Sequence, residues 1–335
     1  MTNAASCDVI FYCHASSKTG FGHASRSLKT AQQISRINPH IDIGFCGVFD
    51  KQALQFMSRL YPIKLVENAK ATVAIYDRMD DFEHPEVFDS STLNKVIKNS
   101  STTLFMANGL VPPALPSGVK CIGYKMGGDP VLGPNILWGL KYAPTDVIDN
   151  PSKIMREGGR ALVVLGGDKG TAKLEKLLHA LGSIKEITDI DVLLSPVNAI
   201  YPKLNGLRPD QAVQIHEGVP DIMPMLMKST LVIASYGHFA YEALASGATL
   251  CLFGQKHFQS IYADHLADAG LCVSGGLLDE IDSDEIVAVI KKSLENSKSF
   301  QAKINFAFDG AGIRRVAELI IEQLAADQPA MEQGV

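Results

Sequence analysis

The sequence predicts an α/β protein made of two parallel-sheet domains, and three observations carry that prediction. Short β-branched runs alternate with amphipathic stretches along nearly the whole chain, as expected where helices cover both faces of parallel sheets. Each half opens with a strand, a glycine turn and a helix: 8–13 followed by Gly20 and Gly22, then 161–165 followed by Gly166 and Gly167. Between the halves, Pro130, Gly133, Pro134, Pro144 and Pro151 interrupt any long regular element. The stretch ending at 150–152 therefore reads as the crossing between domains.

At 335 residues there is room for two domains of ordinary size, and 46% hydrophobic residues supply a substantial core. In the first half the strands are expected at 8–13, 41–47, 72–76, 103–107 and 119–124. The first helix, 23–36, shows Leu28, Ala31, Ile34 and Ile37 at helical spacing, with Arg26, Lys29 and Gln33 off that face. In the second half, strands fit 161–165, 190–194, 212–215, 230–234, 248–253 and 271–274. Helices fit a segment from 171, then 220–228, 238–246, 257–269, 283–295 and 311–325. The domains are accordingly expected at 1–150 and 151–327, with 328–335 as a frayed tail.

Bulk properties exclude several function classes. A net charge of −5, from 31 basic against 36 acidic residues, and the lack of any basic tract argue against nucleic-acid binding. The six cysteines show no Cys-x-x-Cys spacing and lie within or beside apolar runs, as reduced structural thiols do. No secretory-signal pattern and no apolar run near the ~20 residues of a membrane span is present, so a cytoplasmic protein is expected. Peripheral contact with a membrane stays open. No His-x-x-x-His or Cys/His cluster suggests a metal, so neither a metal nor a cofactor is expected.

The residues with chemical promise gather after strands. In Gly20-Phe-Gly-His-Ala-Ser-Arg26, two glycines allow close backbone approach to a ligand, and the helix start offers unpaired N–H groups. His23 would stand at the C-terminal edge of the first strand, where open α/β sheets bind ligands. Asp77, Asp80 and Asp81 follow another strand and could orient an imidazole or a substrate hydroxyl, or simply form a solvated loop. Further on, Ser235-Tyr-Gly-His238 joins a strand to a helix whose amides could hold a diphosphate, with Glu242 one turn on and in reach of a ribose. The bland alternative is a capped surface helix with an exposed glutamate. Gly166-Gly-Asp168 is a third strand-end turn, open to a phosphate or a sugar. Gln259 could hold sugar hydroxyls or could cap the helix it begins. His14 and His257 are plausible neighbours of the site.

The motifs Gly20–Arg26 (numbers 20–26), Gly166-Gly-Asp168 and 234–259, in this order, resemble those of the GT-B nucleotide-sugar enzymes. The resemblance is nearest to the UDP-sugar hydrolases of pseudaminic acid biosynthesis, relatives of the peptidoglycan UDP-N-acetylglucosamine transferase. The segments 139–143 and 308–316 agree with it too. It implies two Rossmann-like domains facing a cleft, UDP held mainly by the second, and chemistry between them. By the same resemblance His23 activates the nucleophile, and Gly20 and Gly22 belong to the nucleotide site with Gly166 and Gly167. Amides around Tyr236, Gly237 and His238 hold the diphosphate, Glu242 the ribose and Gln259 the sugar, and the turn before it places Asp168 as a further sugar candidate.

Three departures stand out. Tyr236-Gly-His238 replaces a turn of small residues, Phe258 stands where the hydrolases carry Asn, and Tyr76-Asp-Arg-Met79 matches their aspartate loop loosely. The expected activity is displacement of UDP at an anomeric carbon with inversion, by water in a hydrolase serving nonulosonic acid or surface-polysaccharide biosynthesis. The alternatives are a glycosyltransferase with a carbohydrate or protein acceptor, and a nucleotide-sugar-binding protein without turnover.

Overall fold

Apolar side chains alternate between two buried faces along the first strand, which is why its sequence reads as one continuous apolar run. Val9, Phe11 and Cys13 enter one core with Leu28, Ala31 and Ile34, while Ile10 and Tyr12 enter another with Tyr76 and Phe105. The computed structural model describes residues 6–16, 20–77, 90–107, 115–124, 133–145, 156–166, 171–194, 200–219 and 221–327. The chain divides into two units, one of Met1–Ala143 with Ala311–Val335 and the other of Pro144–Gly310.

The first unit holds β1 (Ser6–Cys13), β2 (Ile43–Cys46), β3 (Lys70–Asp77), β4 (Ser100–Ala107), β5 (Lys120–Gly123) and β6 (Ile136–Trp138). They form one parallel sheet in the order β2-β1-β3-β4-β5-β6. Its helices are α1 (Gly22–Ile37), α2 (Lys51–Leu60) and α3 (Ser90–Lys98). The apolar stripe of α1 is buried at Leu28, Ala31 and Ile34, but Ile37, in the last turn, stays 44% exposed. Asp50 starts α2 by accepting a hydrogen bond from the Ala53 amide at 2.8 Å. The three-residue β6 lies inside the Pro/Gly-rich stretch, short enough to fit between its interruptions.

The second unit contains β7 (Arg160–Val164), β8 (Asp189–Leu194), β9 (Ala212–Glu217), β10 (Leu231–Ala234), β11 (Thr249–Gly254) and β12 (Val273–Leu277). This sheet is also parallel, ordered β12-β11-β10-β7-β8-β9. Around it stand α4 (Thr171–Gly182), α5 (Met223–Lys228), α6 (His238–Ser246), α7 (His257–Asp268), α8 (Ser283–Glu295) and α9 (Ser297–Ala307). A core of Leu177, Leu181, Ile190, Val192, Ile233, Phe253, Ile286 and Ile290 joins one face of the sheet to α4 and α8.

The last helix, α10 (Gly312–Asp327), does not close the second unit, as a boundary at 151–327 would have it. Its Val316, Ala317 and Ile320 enter the core of the first unit beside Leu28, Ala31 and Ile34 of α1. A methyl group on Gly312 would sit 1.8 Å from the Ala143 carbonyl oxygen, so a residue without a side chain lets the chain pass there. An apolar helical stripe tells a sequence reader that a helix packs, not which sheet it packs on.

In both sheets the strand order reverses once. In the first, the chain moves outward from β1 to β2 and then restarts on the other side with β3. In the second, it moves from β7 through β8 and β9 and restarts with β10. Ligands of open α/β sheets bind beyond the carboxyl ends of the strands at such a reversal, because the helices there diverge to opposite faces. Each reversal point is followed directly by residues singled out above.

Candidate functional site

At the first reversal, Cys13 at the end of β1 is in register with Asp77 at the end of β3. Gly20 takes a φ of 76°, a left-handed turn suited to glycine, and the chain enters α1 immediately. His23, at the second position of α1, places its Nδ1 2.8 Å from Asp77 Oδ1. Arg26 lies three residues further along the same helix face. Its Nε donates to Asp77 Oδ2 at 2.8 Å, one Nη donates to Asp77 Oδ1, and the other donates to the Tyr124 hydroxyl. Ser27 Oγ donates to Asp77 Oδ2 at 3.3 Å.

These groups are deeply enclosed: His23 is 9% exposed, Arg26 3% and Asp77 1%. Burial alone would raise the Asp77 carboxyl, but the Arg26 guanidinium and the His23 hydrogen bond outweigh it and hold Asp77 well below the usual carboxylate range. Burial works against the Arg26 charge too, and the nearby Asp77 more than compensates, pushing Arg26 above its ordinary value. Burial pushes the Tyr124 phenol up. Asp77 is therefore an anion that only accepts hydrogen bonds, so the hydrogen it shares with His23 is carried by Nδ1 of the imidazole, and Nε2 is the ring nitrogen not engaged by Asp77. Asp80 and Asp81 lie outside the described residues.

The second reversal is built differently. The Ser235 amide extends the pairing of β10 with β7 by donating to the Val164 carbonyl at 3.2 Å. The chain then passes through Tyr236 and Gly237 into α6. Ser235 is 6% exposed, and its hydroxyl has no hydrogen-bond partner among the described residues. His238 is the first residue of α6, with Nε2 3.4 Å from Oε1 of Glu242 one turn on. Glu242 is 3% exposed, so the exposed surface glutamate of the bland reading is not what the fold makes. Opposite, Gly166 follows β7 with a φ of 83°. Gly167 and Asp168 lie outside the described residues.

Two residues named from sequence have side chains engaged in the architecture. Tyr236 turns into the core, stacks on Tyr262 with ring centroids 5.3 Å apart, and shares a 2.6 Å hydrogen bond between hydroxyls with Tyr241. Only its backbone is placed to meet a ligand. Gln259 takes the capping role open to it: its Oε1 accepts from the amides of Gln255 at 3.0 Å and Lys256 at 3.2 Å. Its Nε2 donates to the Tyr236 carbonyl at 3.1 Å, tying the start of α7 to the turn before α6. A sugar hydroxyl would have to compete with those bonds. His14 accepts from the Val48 amide at 2.9 Å through Nδ1.

The sequence reading missed Arg26 and Tyr124. Arg26 was placed off the apolar face of its helix, yet it is buried by an ion pair. The available signal was its spacing of three from His23. Tyr124 carried no signal, because its hydroxyl reaches Arg26 only through folding of the sheet. Among the described residues, no group of three or more His, Cys, Asp and Glu could hold a metal ion, and no helix is long and apolar enough to cross a membrane.

No family model matches the chain, and no curated protein matches its sequence. Solved structures do. MurG from Acinetobacter baumannii is similar with a TM-score of 0.63 at 12% identity, over 94% of this chain and 99% of that one. The spinosyn rhamnosyltransferase SpnG, complexed with spinosyn aglycone, gives 0.61 at 13% identity, over 92% and 99%. The fold is GT-B. The calicheamicin glycosyltransferase CalG4 adds a TM-score of 0.58 at 13% identity, over 97% of this chain and 100% of that one. Two six-stranded parallel sheets with flanking helices are the two Rossmann-like halves of the GT-B fold. At these identities the likeness carries the fold alone.

Proposed function

We propose that the protein is an inverting glycosyltransferase that moves a sugar from a nucleoside diphosphate to an acceptor hydroxyl. The observation that carries this reading is the buried His23–Asp77 pair at the first reversal point. With Nδ1–H directed at an anionic carboxylate, Nε2 accepts the proton of the attacking hydroxyl as it adds to the anomeric carbon. One displacement opposite the leaving group inverts the configuration and releases the nucleoside diphosphate.

The start of α6 is the proposed diphosphate site. Amides at Gly237 and His238, the positive end of the helix and the Ser235 hydroxyl are the donors that leaving-group charge requires. Gly20, Gly22 and Gly166 give the backbone close approach, and Gly167 is assigned to the same role from the sequence. Glu242 receives the ribose hydroxyls, Asp168 contacts the sugar, and Gln259 serves by holding the Tyr236–Gly237 turn.

The fold likeness favours transfer over the hydrolysis expected from sequence, because SpnG is a rhamnosyltransferase and CalG4 a glycosyltransferase. SpnG has also been solved with thymidine diphosphate, which is a reason to test thymidine as well as uridine diphosphosugars as donors. The test is to incubate the purified protein with UDP- and TDP-sugars, with and without hydroxyl acceptors, and to measure nucleoside diphosphate and sugar products by mass spectrometry. Release that requires an acceptor, with a glycosylated product, is expected. Equal release of free sugar without acceptor would return the protein to the hydrolases, including the pseudaminic-acid type. Tight nucleotide binding with no release under any condition would make it a binding protein.

A further inference from the structure

Arg26 is the residue that the sequence reading left out and the geometry places at the centre of the first site. Its guanidinium meets both oxygens of Asp77 and the Tyr124 hydroxyl, and its Cζ lies 5.3 Å from the centroid of the Tyr124 ring. It thereby ties α1 to the ends of β3 and β5. Counting His23 and Ser27, the carboxylate of Asp77 accepts four hydrogen bonds.

A carboxylate beside an imidazole has two effects that conflict in a base. It fixes the tautomer, which helps, and it favours the protonated imidazolium, which removes the base. A buried cation on the far side of the same carboxylate separates the two effects. It cancels the negative charge seen by the imidazole and leaves the directed hydrogen bond in place. Among the described residues, the charged and titratable groups facing this arrangement are Asp77 from β3, Arg26 from α1, Tyr124 after β5 and Cys13 at the end of β1. The last two stay neutral, because burial raises the Tyr124 phenol and burial with the Asp77 charge raises the Cys13 thiol.

We propose that Arg26 is a positioning residue for the reaction: by clamping and neutralising Asp77, it holds His23 as a neutral, Nδ1-protonated base. The inference rests on His23 being the base, but its test does not depend on turnover. Nitrogen-15 NMR of labelled imidazoles reads the tautomer and titration of His23 in the protein without substrate, with His23→Gln used to assign the signal. The wild type is expected to show a neutral Nδ1–H tautomer at pH 7.5. Arg26→Gln, which exposes the imidazole to an uncompensated Asp77, is expected to move the His23 titration up by about one pH unit. The acid limb of kcat/KM would move with it, while KM for the donor stays within about twofold.

If Arg26→Gln fails to fold, Arg26→Lys decides. It keeps the charge without the planar fork, so the titration should stay near the wild-type position while the Nδ1–H tautomer loses population and kcat falls. An unchanged tautomer and unchanged titration in a folded Arg26→Gln or Arg26→Lys protein would make Arg26 merely structural. NMR behaviour as expected, in a protein showing no sugar release at all, would overturn the transferase reading and leave the clamp standing.

Discussion

The two reversal points occupy equivalent places in their sheets, but their polar groups are settled in opposite ways. After β1 and β3, the described charged groups are paired inside the unit: Asp77 with Arg26, His23 with Asp77, and Arg26 also with Tyr124. After β10, the Ser235 hydroxyl is buried with no partner among the described residues, at the start of a helix whose end carries positive partial charge. Burying an unsatisfied hydroxyl costs on the order of 1–3 kcal/mol. The described groups of the first site are paired with one another, which suits the base role proposed for His23. The second has an acceptor missing, as a site awaiting an anion has.

The glycines repeat the contrast. A methyl group on Gly123 would strike the Trp138 ring at 1.9 Å, and one on Gly182 would strike the Gly206 carbonyl oxygen at 1.9 Å, so packing explains both. Gly22 and Gly237 have no described neighbour within 4 Å of such a methyl group, and Gly237 has an extended φ of 169° that any residue adopts. Neither packing nor backbone conformation calls for glycine at these two positions. Both stand where a ligand is expected to approach.

The comparison can be broken most sharply at His23. His23→Ala is expected to lower kcat by about 10²–10⁴-fold while the affinity for nucleoside diphosphate, read by calorimetry, stays within about twofold. A parallel loss of affinity would show that the two sites are not separable. Next comes Asp77→Asn, which leaves Arg26 buried without its anion and should cost about 3–5 kcal/mol in denaturant unfolding. The same pair sets a pH dependence. Because Asp77 is depressed in the folded state, its contribution is complete above the unfolded carboxylate value of about 4 and declines as the pH falls below it. The wild type should therefore lose stability below about pH 4 more steeply than Asp77→Asn, and parallel curves would remove Asp77 as the cause.

Ser235→Ala should weaken nucleoside diphosphate binding by about 3–10-fold without lowering stability, since the hydroxyl has no internal bond to lose. A clear drop in melting temperature would mean that the hydroxyl serves the fold. The smallest stability change is expected for Gly237→Ala, within about 0.5 kcal/mol of wild type. Its effect should appear in nucleotide affinity alone, in contrast to Gly123→Ala, whose added methyl group has no space.

Much of this was readable before folding. The motif around His23 and the strand–turn–helix at 235–242 each stand where the sequence placed them, and α6 and α8 match their expected bounds. Asp77 was visible as one of three aspartates, but the sequence could not choose among them, because the choice depends on β3 pairing with β1 in a register that sets Asp77 beside Cys13. Tyr236 looked like part of a diphosphate turn. The stacking with Tyr262 and the bond to Tyr241 that claim its ring come from neighbours whose approach no local pattern encodes.

The sequence by itself determined the class of fold, two strand–glycine–helix openings and a histidine in the first of them, because period, turn chemistry and helix starts are local properties of a chain. Only the tertiary structure decided that α10 returns to the first unit, that Arg26 is buried against Asp77, and that Glu242 is enclosed beside His238. Those outcomes depend on which distant surfaces meet. Burial then turns an ordinary charged side chain into one that must find its counter-charge.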